Sequence, residues 1–245
     1  MKLSEKVLFV SNWIKNYVET MPNKAQSLVI GISGGIDSSV SSTLCAMTGL
    51  KTIILSMPIK QKPAQYDLSI KHQEWLIKNF NNVESYTLNL DKLFEVFQDS
   101  LSKFDSDHGM ANSRARLRMT TLYQVAAANK GIVVGTGNKV EDFGVGFYTK
   151  YGDGGVDISP IADCNKTEVW EMGKELNILK QIIDAAPTDG LWDDGRTDES
   201  QLGLNYEELE EAMNNPNSEN RVKYEKIRKL NLHKMEPIPV CKIPN

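Results

Sequence analysis

Residues 27–40 read SLVIGISGGIDSSV, and no other stretch restricts the fold as tightly. Leu28, Val29 and Ile30 have the apolar, β-branched character of a buried strand. A glycine-rich turn follows at once. Small residues from Ser38 to Met47 then predict a helix to about residue 48. Glycine lets the backbone turn sharply and approach another group closely. A strand, a glycine loop and a helix in that order aim backbone N–H groups and a helix dipole at one point, which makes an anion site.

The rest of the chain repeats the alternation. Residues 52–56, 85–90 and 131–135 predict three more strands. Helices are expected at 63–80, opened by Pro63, at 92–101 and at 114–129. Val7, Val10, Ile14, Tyr17 and Met21 recur at helical spacing and predict an amphipathic helix over 4–20. Asn165, with Glu168 three residues on, marks the start of another helix. Residues 105–112, 137–155 and 187–203 read as irregular. Beyond Tyr206 the chain is helical and charged, with a proline-rich tail. The implied fold class is α/β, an open, mainly parallel sheet with helices on both faces. No repeat or domain boundary shows, so residues 1–245 read as a single domain.

A net charge of −4 excludes a broad nucleic-acid footprint. Any anionic ligand must meet local positive groups or a bound metal. Cys45, Cys164 and Cys241 are scattered and form no CxxC, which excludes a zinc knuckle and favours a reducing compartment. The first apolar run is too interrupted for a secretory signal, and no stretch approaches the ~20 apolar residues of a membrane span. A cytoplasmic protein is expected, with no membrane and no nucleic-acid partner.

Asp37 is the anomaly of the glycine loop. A carboxylate inside a phosphate cradle is tolerable only with a cation between the two. Mg²⁺ suits that place, since it takes one or two carboxylates plus phosphate oxygens. A plainer account makes the segment a Gly-Gly turn whose serines and aspartate cap a helix. The P-loop pattern G-x-x-x-x-G-K-[ST] is absent, and so is G-x-G-x-x-G.

SGGIDS resembles the pyrophosphate loop of the N-type ATP pyrophosphatases. Further blocks narrow the resemblance: NSRARLRM at 112–119, GTGNKVE at 135–141, GFYTKYGDGGVDISPIADCNKTEV at 146–169 and PTDGLWDDGRTDESQLGLNY at 187–206. In this order and spacing they resemble the ammonia-dependent NAD synthetases, over most of the chain from residue 28 on. The resemblance implies a Rossmann-like fold of the adenine nucleotide alpha-hydrolase type and a single NAD synthetase domain. It also implies a reaction, the last step of NAD biosynthesis. The nicotinate carboxylate of deamido-NAD attacks the α-phosphate of ATP, pyrophosphate leaves, and ammonia displaces AMP from the adenylate. Mg²⁺ is the implied cofactor, ATP, deamido-NAD and ammonia the partners, and a homodimer the assembly. Glutamine-dependent relatives carry an extra amidase domain that this chain is too short to hold, so free ammonia is the expected nitrogen source.

By the same resemblance Gly31, Ile32, Ser33, Gly34, Gly35, Ile36, Asp37 and Ser38 form the ATP phosphate loop, with Thr136, Lys166 and Thr188 as further ATP contacts. Asp37 and Glu141 are the Mg²⁺ ligands, and Asp37 and Lys166 carry the catalysis. Arg116, Lys150, Asp157, His233 and Lys234 are the deamido-NAD contacts. Residues 188–203, with Gly190, Gly195 and Gly203, are expected to close as a lid that keeps water from the adenylate. Between Glu141 and Lys150 the chain reads DFGVGFYT, one residue longer than the family segment.

Several of these residues have plainer explanations. Arg114 and Arg118, four apart, read as a solvated helix face, leaving Arg116 as the functional arginine. Asp157 before Ser159 and Pro160 can organise a turn. Lys166 at a helix start opposes the dipole, which favours a functional reason for it. The rival functions are another pyrophosphatase-superfamily ligase, a tRNA-modifying enzyme, and a nucleotide sensor without chemistry. The tRNA enzymes call for a basic face or metal-binding cysteines, and a sensor does not need Asp37 together with Glu141.

Overall fold

A computed structural model describes residues 1–192 and 196–244. Four parallel strands form one sheet in the order β3-β2-β1-β4: β1 (Ser27–Gly31), β2 (Thr52–Ser56), β3 (Val83–Thr87) and β4 (Gly131–Val133). Helix α1 (Leu3–Thr20) precedes β1. Helices α2 (Ile36–Met47) and α3 (Pro63–Asn79) connect β1 to β2 and β2 to β3. Helices α4 (Asp91–Ser100) and α5 (Asp107–Ala128) lead to β4. After β4 come α6 (Lys166–Glu175), α7 (Lys180–Ile183), α8 (Asp198–Leu202), α9 (Tyr206–Asn214) and α10 (Arg221–Met235).

All-parallel strands are covered on both faces and therefore read as unbroken apolar runs. Leu28, Val29 and Ile30 are all fully buried. Their side chains alternate between layers. Leu28 and Ile30 join Ile14, Leu44 and Met172 in one core, while Val29 joins Ile53, Phe94 and Val133 in the other. A third core gathers Val140, Leu202, Tyr206, Leu209 and Tyr224 from the region beyond β4. The chain runs outward from β1 through β2 to β3 and then crosses to β4 on the other side of β1. Strand order reverses there, and open α/β sheets bind ligands at such a reversal.

Four regions differ from the sequence expectation. The third strand lies at Val83–Thr87, not 85–90, because Val83 is buried and pairs with Thr52. Helix α5 begins at Asp107, seven residues before Arg114. Ser106 caps it by accepting from the Gly109 N–H at 3.2 Å, and its polar first turns disguise it as loop. Within 137–155, Lys139–Val145 is a π-helical turn. Asn138 caps it, accepting from the N–H groups of Val140 and Glu141, both at 3.0 Å. Within 187–203, α8 forms a short helix between Thr197, which caps it, and Gly203 at φ +70.

Gly34 shows why the loop needs glycine. Its φ is +89, and a Cβ there meets the Gln65 carbonyl oxygen and the Ser69 nitrogen at 2.8 Å each. Both are α3 backbone atoms with nowhere to move. Gly34→Ala is expected to cost about 1–3 kcal/mol, the usual range for backbone strain. A urea midpoint unchanged from wild type would contradict this.

Candidate active site

The glycine loop is held by its own serines. Ser33 and Ser38 share a hydroxyl–hydroxyl bond of 3.0 Å, the Ser33 hydroxyl accepts the Gly35 N–H at 3.1 Å, and the Ser38 hydroxyl donates to the Gly35 carbonyl at 3.0 Å. The N-terminus of α2 therefore opens on a cleft of about 280 Å³. Gly31 through Ser38 form one wall of it, and Thr136, Glu141, Lys166 and Thr188 line it as well.

At the loop's mouth Lys166, only 2% exposed, sits between two carboxylates. Its ammonium donates to Asp37 Oδ2 at 2.5 Å and to Glu141 Oε1 at 2.8 Å. Asn138, fully buried, donates to Asp37 Oδ1 at 3.1 Å. The Tyr206 hydroxyl donates to Glu141 Oε1 at 2.6 Å. Burial works against the Lys166 charge, but the two carboxylates outweigh it and push its pKa up. Burial raises Asp37 despite Lys166. Burial also pulls Glu141 upward, but Lys166 and the Tyr206 hydroxyl prevail and hold it below the ordinary carboxylate range. Lys166 is thus held in its charged form, which suits a charge clamp and not a base.

Two carboxylates against one ammonium leave a net negative charge where a phosphate would arrive. Among the described residues no group of three or more His, Cys, Asp or Glu forms a metal cage. A divalent cation held by Asp37 and Glu141 must therefore complete its shell with water and phosphate oxygens, which is the habit of Mg²⁺. The donor set fits that ion.

The five remaining residues stand outside the cleft lining. Arg116 is exposed, and its Nε donates to the Lys150 carbonyl at 3.3 Å. Lys234 Nζ donates to the Tyr148 carbonyl at 2.6 Å, and the Tyr148 hydroxyl returns a bond of 2.6 Å to the Lys234 carbonyl. Residues 148–150 thus gather Arg116, Lys150 and Lys234 along one rim. His233 beside Lys234 is exposed. Asp157 has structural partners: it accepts the Val133 N–H at 2.7 Å and the Tyr123 hydroxyl at 3.0 Å, bracing β4 against α5. Thr188 donates to the Arg196 carbonyl at 3.1 Å and accepts the Gly190 N–H at 3.2 Å. Gly195 of the expected lid lies outside the described residues.

Arg114 and Arg118 are not a solvated face. Arg114 is 7% exposed and donates to the Leu191 carbonyl at 2.9 Å. Arg118 lines the cleft and donates from Nε to the Met57 carbonyl at 3.0 Å. Their four-residue spacing does place them on one face, but that face looks inward. Asp198, which lines the cleft, and Asn138 and Tyr206, which are buried behind it and hold Asp37 and Glu141, were passed over by sequence reasoning, although all three fall within the quoted motifs.

A model of the NAD synthase family matches residues 7–243. The chain belongs to the NAD synthase family. The NH(3)-dependent NAD(+) synthetase of Alkaliphilus metalliredigens is 34% identical over 98% of this chain and 99% of its own length. The NMN synthetase of Francisella tularensis superposes with a TM-score of 0.89 at 32% identity, covering 100% of this chain and 99% of that one. The NH3-dependent NAD synthetase of Campylobacter jejuni, at 23% identity, shares the fold with a TM-score of 0.80 over 99% of this chain and 100% of that one. Likewise, among the described residues, no helix is long and apolar enough to cross a membrane.

The clamp makes a stability prediction. Lys166→Met leaves two part-buried carboxylates without a counter-charge and is expected to cost about 3 kcal/mol, the lower end of the range for breaking a buried pair. Carboxyls raised by burial bind more protons folded than unfolded, so the deficit is largest at high pH and shrinks as pH falls. Urea unfolding at pH 5 and pH 8 measures it; an equal deficit at both would contradict the assignment.

Proposed function

We propose that the chain amidates deamido-NAD with ammonia at the expense of ATP, giving NAD, AMP and pyrophosphate through an adenylated intermediate. The observation that carries this reading is the Lys166 ammonium held between Asp37 and Glu141 at the mouth of a glycine loop. A carboxylate is a poor acyl donor, and attack on the α-phosphate converts it to an acyl adenylate. The loop from Gly31 to Ser38 receives the leaving pyrophosphate with its backbone N–H groups and the α2 dipole. Asp37 and Glu141 would hold Mg²⁺, which when bound would neutralise phosphate charge. Lys166 meets the charge that develops at the α-phosphate. No side-chain nucleophile is required; positioning and electrostatics do the work.

Thr136 and Thr188 contact ATP from the far walls. Arg116, Lys150, His233 and Lys234 form the rim that receives the nicotinate nucleotide, with Asp157 fixing β4 beneath it. Residues 188–192 and 196–203 cover the adenylate, held by the Arg114 bond to Leu191 and by Gln201, which donates to Asp189 at 3.2 Å. Residues 1–245 act as one domain, in a cytosolic homodimer. Three free cysteines and the outward Leu8, Phe9 and Trp13 of α1 support those last two points.

The Francisella tularensis likeness, which spans nearly all of both chains, favours a second reading of the substrate. In it the nicotinate nucleotide is a mononucleotide and the product is NMN, with the same adenylation and the same residues. Comparing kcat/KM for nicotinate mononucleotide and deamido-NAD decides between the two.

Product analysis with ATP, Mg²⁺, ammonium and either nucleotide is expected to give AMP, pyrophosphate and amide in equal amounts. Binding without turnover would support a sensor, and turnover only with tRNA a tRNA-modifying enzyme. Asp37→Asn is expected to lower kcat by on the order of 10²–10³, the weight of one electrostatic group in such sites. Full activity at saturating Mg²⁺ would remove Asp37 from the metal.

A further inference from the structure

One buried carboxylate of the cleft has no role in the scheme above. Asp198 opens α8, is 5% exposed and lines the cleft near Glu141, Lys166 and Asp189. Its Oδ1 is buried with no hydrogen-bond partner among the described residues. Its Oδ2 lies 3.3 Å from the Tyr206 hydroxyl, but that hydroxyl is only 2.6 Å from Glu141 Oε1. A phenol has one proton to give, and the short bond to Glu141 takes it. Neither oxygen of Asp198 therefore has a committed donor.

Burial, and then Glu141, push the Asp198 carboxyl up to about 7, with Lys166 opposing and Asp189 adding to the rise. A buried carboxylate without a donor is costly, and a cation in the cleft relieves it. The neighbourhood offers acceptors, both Asp198 oxygens and the Tyr206 oxygen, while the Tyr206 ring itself is already taken by Lys166 Nζ, 4.9 Å from its centroid. An ion made only of N–H donors matches these acceptors.

We propose that Asp198 is the ammonium-binding residue of the amidation reaction, holding the nitrogen substrate on the α8 wall of the cleft. This rests on the ammonia-dependent reading of the site. Asp37, Glu141 and Lys166 serve adenylation, whereas Asp198 serves the second half of the reaction: the ammonium it holds passes one proton to the carboxylate, and the ammonia so formed bonds to the acyl carbon as the bond to AMP breaks.

The test separates the halves. Initial rates with ammonium varied are compared for wild type, Asp198→Asn and Asp198→Glu, alongside ATP–pyrophosphate exchange with the nicotinate nucleotide and no ammonium. For Asp198→Asn the KM for ammonium is expected to rise about 10- to 100-fold, the weight of a charge-assisted hydrogen bond. Exchange and the KM for ATP are expected to stay within about twofold, and Asp198→Glu to recover part of the ammonium affinity. An unmoved ammonium KM, or a parallel loss of exchange, overturns the proposal. If wild type itself forms no amide from ammonium, the functional reading falls instead, a result distinct from a working wild type with an indifferent variant. A second measurement needs no turnover. Ammonium chloride should raise the unfolding temperature of wild type more than sodium chloride does, and the difference should vanish in Asp198→Asn. An Asp198-dependent shift with magnesium chloride and none with ammonium would overturn the assignment.

Discussion

The contact of Lys166 with Asp37 and Glu141 ties together three distant parts of the chain. Asp37 lies 129 residues from Lys166, and Glu141 lies 25. One carboxylate stands on the first turn of α2, the other in a π-helical turn, and the ammonium at the first position of α6. Each alone is badly placed: two part-buried acids, and a buried lysine at the end of a helix where the dipole repels it. Together they neutralise most of one another. The charge left over is negative and faces the glycine loop.

The sheet puts these groups in register. Strand order reverses between β1 and β4, and the segments leaving their carboxyl ends carry Asp37 and Glu141. Close packing behind the loop depends on small residues. Ser39, Ser41 and Ser42 of α2 are fully buried, and Gly173 of α6 leaves room for the Ile36 side chain. The Lys166 end of α6 is thereby brought against the start of α2. Asn138 then does two jobs with one amide, capping the π turn through its oxygen and holding Asp37 through its nitrogen.

Much of this was legible in the sequence where local rules dominate. The apolar runs at β1 and β2 and the proline opening α3 needed no tertiary information, and the glycine loop carried its own chemistry. The Asn165–Glu168 signature also held, with the Glu168 carboxylate accepting the Asn165 N–H at 2.9 Å. Long-range packing decided what was missed. A four-residue arginine spacing looks alike on a wet face and a buried one, so Arg114 and Arg118 were placed outside. The polar start of α5 resembled a loop because its cap, Ser106, precedes no apolar stripe. A glycine-rich stretch hid a π turn whose stability comes from Asn138 and the packing of Val140 and Val145. Nothing local marks Asp198, since its character follows from a tyrosine already committed to another acid.

A triple substitution measures the central contact directly. If Lys166 is held chiefly to offset Asp37 and Glu141, replacing all three with neutral residues of like size removes the charge and its counter-charges at once. The account predicts that Asp37→Asn, Glu141→Gln and Lys166→Met combined is more stable to urea than Lys166→Met alone, as expected when an orphaned buried charge is the main cost. Losses that simply add, leaving the triple variant less stable than the single one, would contradict it.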